Sequence, residues 1–209
     1  MRPEALFSDG SPVTADDVEF SHNILLDQGL KSYAEAVRKR IPKAEVLGPH
    51  RVKFYFAPDI SRRSLISQVG GTPIYSKAWF EADETRRLDK PRMEPGIGSA
   101  PYVLDSYDIN RRIVYRRNPD YWGDAINVNI GRNNYETIRI EYFSDSVAAM
   151  EAFKAGEFTL RQENNSKNWA TSYDFPALTD GDVIKVELDD GNVPYAGGFV
   201  MNMDRPQFQ

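Results

Sequence analysis

Phe7-Ser8-Asp9-Gly10-Ser11-Pro12-Val13-Thr14-Ala15-Asp16-Asp17-Val18 is the stretch on which the reading of this chain turns. Asp9-Gly10 is turn chemistry, because glycine tolerates positive φ and aspartate bonds its own backbone. Thr14 suits a helix N-cap, and Asp17 three residues later completes a capping box. A turn running into a capped helix over residues 15–27 is expected, closed by Gly29 as a C-cap glycine. Val18, Ile24 and Leu25, with Phe20 or Ser21, give that helix its apolar stripe.

Outward from this element the pattern alternates. Residues 33–40 are helical in pattern but rich in Lys and Arg, so an exposed helix is expected. Residues 44–47 and 52–56 flank Gly48-Pro49-His50-Arg51 as a β-hairpin, and 103–107 with 113–117 form a second one around 108–111. Residues 137–143 alternate as a strand. Ser144 is expected to cap a helix through Ala155, with Gly156 stopping it. Phe158-Thr159-Leu160 and Val183-Ile184-Lys185-Val186 are expected as short strands. Strand, helix and strand over 137–160 make a βαβ-like unit, so parallel pairing is expected there. The charged, proline-containing run 83–95 marks a subdomain boundary: 1–95 would carry the helix and first hairpin, and 96–209 the main mixed sheet.

Composition narrows the function. At 209 residues with 41% hydrophobic content, the chain can bury a core. A net charge of −5 argues against nucleic acid or an anionic membrane as partner. No apolar run approaches the roughly eighteen residues of a membrane span. With no cysteine, disulfides and thiolate chemistry are excluded. His22 and His50 have no Cys, His or carboxylate at metal-ligand spacing, so no metal or other cofactor is expected. Asp16-Asp17 suits a helix N-terminus and Asp189-Asp190 a turn, rather than an acid–base pair. Gly96-Ile97-Gly98 lacks the third glycine and following helix of a phosphate loop.

Further motifs follow in order. Gly98-Ser99-Ala100-Pro101-Tyr102 resembles G-[ST]-G-P-Y, and Tyr115-Arg116-Arg117-Asn118-Pro119-Asp120-Tyr121-Trp122-Gly123 resembles E-R-N-P-D-Y-W-G. Ala148-Ala149-Met150-Glu151-Ala152-Phe153-Lys154-Ala155-Gly156-Glu157-Phe158 resembles A-L-E-A-L-K-A-G-E-I-D, and Gly198-Phe199-Val200-Met201-Asn202 resembles a segment before a hinge. With the opening stretch, close to F-S-D-G-T-P-V-T-A-x-D-V, these motifs are similar to those of the family 5 extracellular solute-binding proteins. These are the oligopeptide-, dipeptide- and nickel-binding components of ABC importers. Gln162-Glu163-Asn164-Asn165-Ser166-Lys167-Asn168-Trp169-Ala170-Thr171 resembles Q-E-N-x-x-K-N-W-A-T of the branch that takes up oligopeptides and microcin C.

The resemblance implies an α/β fold: a mixed-sheet lobe of a type II periplasmic-binding-protein fold, with the second lobe absent. It implies a periplasmic, monomeric binding protein without enzymatic activity. Its partners would be a peptide ligand and the membrane permease of an ABC importer. Family members begin with a secretion signal, whereas residues 1–5 have no apolar stretch. Ala100 replaces the motif's second glycine and would be strained if that position needed positive φ.

Candidate ligand residues follow from chemistry and resemblance together. Gln162, Asn164, Asn165 and Asn168 form a polar loop expected after a strand, where ligands of open sheets bind. Their amides both donate and accept, which suits a peptide backbone. Asn165 or Ser166 can equally be a helix cap with Trp169 in the core. Gly70 and Gly71 beside Gln68, and Gly197-Gly198, allow close backbone approach. The resemblance places the Gln68–Gly71 segment at the cleft and Tyr33 at a cleft aromatic position. All three loops are expected on one exposed face. Trp79 and Trp122 are expected in the core. Two other functions compete: the ligand-sensing domain of a transcription regulator, and a carbohydrate hydrolase, which needs two carboxylates about 5–9 Å apart across a cleft.

Overall fold

In a computed structural model, residues 1–188, 191, 201, 204–205 and 207 are described. Helix α1 (Ala15–Gln28) starts at Thr14, whose N–H and hydroxyl both donate to the Asp17 carboxylate, at 2.8 and 2.9 Å. It ends at Gly29, which is extended rather than left-handed. Glycine is required there for space: a Cβ would lie 2.3 Å from the Leu25 carbonyl oxygen. α2 (Lys31–Arg40) follows, burying Ala34 and Val37 beneath its basic surface. β1 (Lys43–Gly48) and β2 (Arg51–Tyr55) form the expected antiparallel hairpin. A short 3-10 turn leads into α3 (Leu65–Gly70), and α4 (Lys77–Glu81) is capped by Ser76.

The second sheet has the order β3-β4-β5, formed by β3 (Tyr102–Asp108), β4 (Arg112–Arg117) and β5 (Thr137–Glu141). Both of its pairings are antiparallel. Leu104 pairs with Tyr115, and Tyr115 with Ile138, so one face of the sheet is apolar. Asn110 turns the β3–β4 hairpin at φ 60°, a conformation asparagine tolerates. Ala100 is not among the residues with positive φ, so its replacement of glycine carries no strain.

Contacts divide the chain into a unit over Met1–Phe143 and a second over Ser144–Gln209. The 95/96 boundary proposed from sequence falls inside the first unit. In the second unit, α5 (Ser146–Lys154) is capped by Asp145 rather than Ser144; the Asp145 carboxylate accepts from the Val147 and Ala148 N–H groups. Two short helices follow, α6 (Ser166–Thr171) and α7 (Pro176–Thr179). Met150, Phe153 and Phe175 form the core, with Phe158, Tyr173 and Val183 against it.

The expected strands at 158–160 and 183–186 are not formed, and no parallel pairing occurs among the described residues. A strand exists only where another strand completes its hydrogen bonds, and alternation alone does not supply one. Phe158 and Val183 pack inward, while Leu160 and Ile184 are 87% and 79% exposed.

Candidate functional site

Three of the motifs meet in the first unit. Ala5, Phe7 and Val13 form a buried cluster with Ile97 and Trp122 against it. The Ser8 N–H donates to the Gly98 carbonyl at 2.7 Å, and the Ser99 hydroxyl to the Leu6 carbonyl at 2.7 Å. The Trp122 indole N–H donates to Ser99 Oγ at 2.8 Å. The groups that make the motifs recognisable are used on one another, which gives them a role in the scaffold.

α1 buries polar groups for the same purpose. Asp17 is 6% exposed, and its second carboxylate oxygen accepts the Lys77 N–H at 2.9 Å. Ser21, fully buried, donates to the Asp17 carbonyl at 2.6 Å and accepts the Tyr75 N–H at 2.7 Å. These bonds fasten the start of α4 to α1 across more than fifty residues of chain. Asp17 is thus a tether with its lone pairs occupied, not half of an acid–base pair. His22 packs edge-on to Phe54 at 5.8 Å, and its Nε2 has no partner. Burial lowers its pKa below the ordinary histidine value, partly offset by a bond to the Ile41 backbone. No group of His, Cys, Asp and Glu suited to a metal ion occurs among the described residues.

The first unit also carries two open clefts. One, of about 440 Å³, lies between residues 92–95 and the apolar sheet face, with Leu104, Tyr107, Ile113, Tyr115 and Tyr142 in its lining. The other, of about 590 Å³, runs between α1 and α4 over Phe20, Ile24 and Phe80. Neither is lined by Tyr33, Gln68, Gly70 or Gly71. Tyr33 is on α2 and partly exposed. Gln68 and Gly70 belong to α3, and the Gly71 N–H closes that helix on the Ser67 carbonyl at 2.9 Å. The adjacent glycines therefore end a helix. A Cβ on Gly70 would meet open space, while one on Gly71 would lie 3.1 Å from Ser67 O.

The amide run lies in the second unit and follows an unpaired segment instead of a strand. Asn165 caps α6: its Oδ1 accepts the Lys167 and Asn168 N–H groups at 3.0 and 3.2 Å. Its carbonyl end is thus committed to the fold. Gln162, Asn164 and Asn165 are exposed and Asn168 half-buried. Gln162 donates to Asn164 Oδ1 at 3.4 Å, and the Asn168 side chain has no partner among the described residues. Trp169 sits against Tyr173 at 5.8 Å. The Lys185 ammonium lies 4.2 Å above its ring and hydrogen-bonds the Trp169 carbonyl. Gly197 and Gly198 lie outside the described residues.

A group not singled out from sequence holds this loop. The Glu163 side chain is 5% exposed and that of Arg161 12%. Glu163 accepts the Asn165 N–H at 2.8 Å, Arg161 at 3.2 Å and the Tyr173 hydroxyl at 3.3 Å. Arg161 Nε also donates to the Tyr173 hydroxyl, at 3.2 Å. The Asn165 N–H, with Arg161 and Tyr173 and against the effect of burial, holds the Glu163 carboxyl below its ordinary pKa. Burial, with the neighbouring carboxylate, pushes the Tyr173 phenol up. The signal in the sequence was a lone carboxylate two residues before an asparagine cap and two after an arginine.

The profile of the bacterial extracellular solute-binding proteins, family 5, middle region, matches residues 1–209. A binding protein of Brucella melitensis is 38% identical over 208 residues, which cover 100% of this chain and 33% of that protein. YejA of Agrobacterium fabrum, named for peptide binding, is 37% identical over 215 residues, covering 100% of this chain and 34% of its own length. Among solved structures, AppA of Bacillus subtilis in complex with a nonapeptide is similar, with a TM-score of 0.64 at 21% identity, covering 84% of this chain and 33% of AppA. AppA of Clostridium difficile, named for peptide binding, gives a TM-score of 0.65 at 22% identity, over 82% of this chain and 34% of that protein. The chain spans about a third of the length of the relatives it matches. The α/β fold is that of a part of a periplasmic binding protein.

Proposed function

The chain belongs to the bacterial extracellular solute-binding proteins of family 5, and from that premise we propose that it forms part of the substrate-binding component of an ABC importer for oligopeptides. The component works outside the cytoplasmic membrane as a monomer, without chemistry of its own. It closes over its ligand by a hinge motion and hands it to a membrane permease. The observation that carries the reading is the Gln162–Asn168 loop: exposed amides on a backbone pinned by a buried carboxylate. Amides that accept and donate match an extended peptide backbone, and they do so without regard to side-chain sequence. Relatives named for peptide binding support the same ligand class. Tyr33, Gln68, Gly70, Gly71, Gly197 and Gly198 are proposed as further contacts.

Calorimetry against a tryptic digest of casein tests this. The complete native polypeptide is expected to bind with micromolar apparent affinity, about 8 kcal/mol. Residues 1–209 alone are expected to bind in the millimolar range or not at all, because part of the cleft is then missing. Equal affinities would place the whole site on this chain. No binding by the complete polypeptide would overturn the peptide reading. A relative named as a peptidoglycan-binding protein, YepA of Agrobacterium fabrum, is 31% identical, so muropeptides are the informative second ligand set.

A further inference from the structure

We infer that Glu163 is a positioning residue, buried so that the amides around it are presented to a peptide in one fixed arrangement. The inference rests on the reading of Gln162–Asn168 as a ligand-contacting loop.

The partition of side chains here runs against the hydrophobic rule. Leu160 is 87% exposed, yet the side chain of Glu163, three residues later, is 5% exposed. A carboxylate tolerates that only when its lone pairs are satisfied. One oxygen takes the Asn165 N–H; the other takes Arg161 and the Tyr173 hydroxyl. Tyr173 belongs to the unit's aromatic core, 6.5 Å from Phe153 and 5.8 Å from Trp169. The carboxylate therefore ties the loop backbone at Asn165 to the core. Asn165 in turn fixes the first turn of α6 and with it Asn168. For stability alone, a well-packed apolar group would serve as well. What the ionic arrangement adds is a single position for the backbone from 163 to 168. Pre-organised donors and acceptors bind more tightly because less ordering remains to be done on association.

The test uses the complete native polypeptide, the casein digest as probe, and local hydrogen exchange of the free protein. Glu163→Ala is expected to weaken peptide binding about tenfold and to speed exchange at 164–168, with exchange in α5 unchanged. Glu163→Gln is expected to recover most of the affinity, since its carbonyl still accepts the Asn165 N–H. Tyr173→Phe, which keeps the ring and removes the hydroxyl's two bonds, to Glu163 and from Arg161, is expected to fall between wild type and Glu163→Ala and covers the case in which Glu163→Ala fails to fold. Asn164→Ala and Asn168→Ala separate the two ideas. If they leave binding unchanged, the loop does not contact ligand, and the reading and this inference both fall. If they weaken binding while Glu163→Ala and Tyr173→Phe bind like wild type, only the positioning role is overturned. Faster exchange throughout the unit without recovery in Glu163→Gln would make the carboxylate merely structural, and would also overturn it.

Discussion

Asp17 in the first unit and Glu163 in the second are buried carboxylates that accept backbone N–H groups, and they differ in reach. Asp17 joins residues sixty apart, from α1 to the start of α4, and Ser21 beside it joins residues fifty-four apart. Glu163 joins residues two to ten apart. The first arrangement closes a long loop and so holds tertiary structure, its bonds offsetting the entropy lost in that closure. The second fixes a local conformation that is presented to solvent. The difference teaches that the most recognisable motif of this chain is scaffold. The less prominent amide run keeps the Asn168 side chain, and the amide groups of Gln162, Asn164 and Asn165 not used in the cap or the Gln162–Asn164 bond, open to a partner.

Three changes test that contrast. Asp17→Ala should have the largest effect, about 3 kcal/mol of lost stability, since it orphans the Thr14 and Lys77 donors at once. Urea denaturation followed by circular dichroism measures it; a loss below about 1 kcal/mol would mean that the tether carries little. Next comes acid. Burial lowers the pKa of His22 in the folded state, so below the unfolded value near 6.5 the unfolded chain takes up a proton that the folded chain refuses. Stability should therefore be full above pH 6.5 and fall from there toward the folded pKa, by at most about 1.4 kcal/mol per pH unit. His22→Leu should flatten this slope in denaturation curves between pH 7 and 5; an unchanged slope would assign it to other groups. The smallest effect is expected from Asn165→Ala, about 1 kcal/mol for a lost N-cap, confined to α6 in hydrogen exchange. If it destabilised the protein as much as Asp17→Ala, local and long-range ties would not differ as argued.

What could be read from the sequence was what local chemistry decides. The capping box at Thr14–Asp17, both hairpins, β5 and the stop at Gly156 are set by residues within a few positions of each other, and they occur as expected. The strands at 158–160 and 183–186 could not be read because pairing is non-local. Phe158 and Val183 follow the apolar pattern into the core, yet neither segment pairs with another strand among the described residues. The cap of α5 moved by one residue because Asp145, with a carboxylate reaching two N–H groups, competes better than Ser144. In the candidate site the amides were legible as residue types. Their support was only hinted at, by a carboxylate placed between Arg161 and the Asn165 cap; nothing in the sequence brings Tyr173 against it inside an aromatic cluster. The paired glycines Gly70 and Gly71 suit close backbone approach, but the α3 hydrogen bonds run through to the Gly71 N–H. That depends on the helix before them, not on the glycines.

The central claim is that the Gln162–Asn168 loop contacts a peptide, and the most direct measurement is hydrogen exchange of the complete native polypeptide with and without the casein digest. The account predicts slower exchange at residues 162–168 when peptide is present, while the tether at Tyr75–Lys77 is unchanged. Binding of peptide with no change in exchange at 162–168 would contradict it.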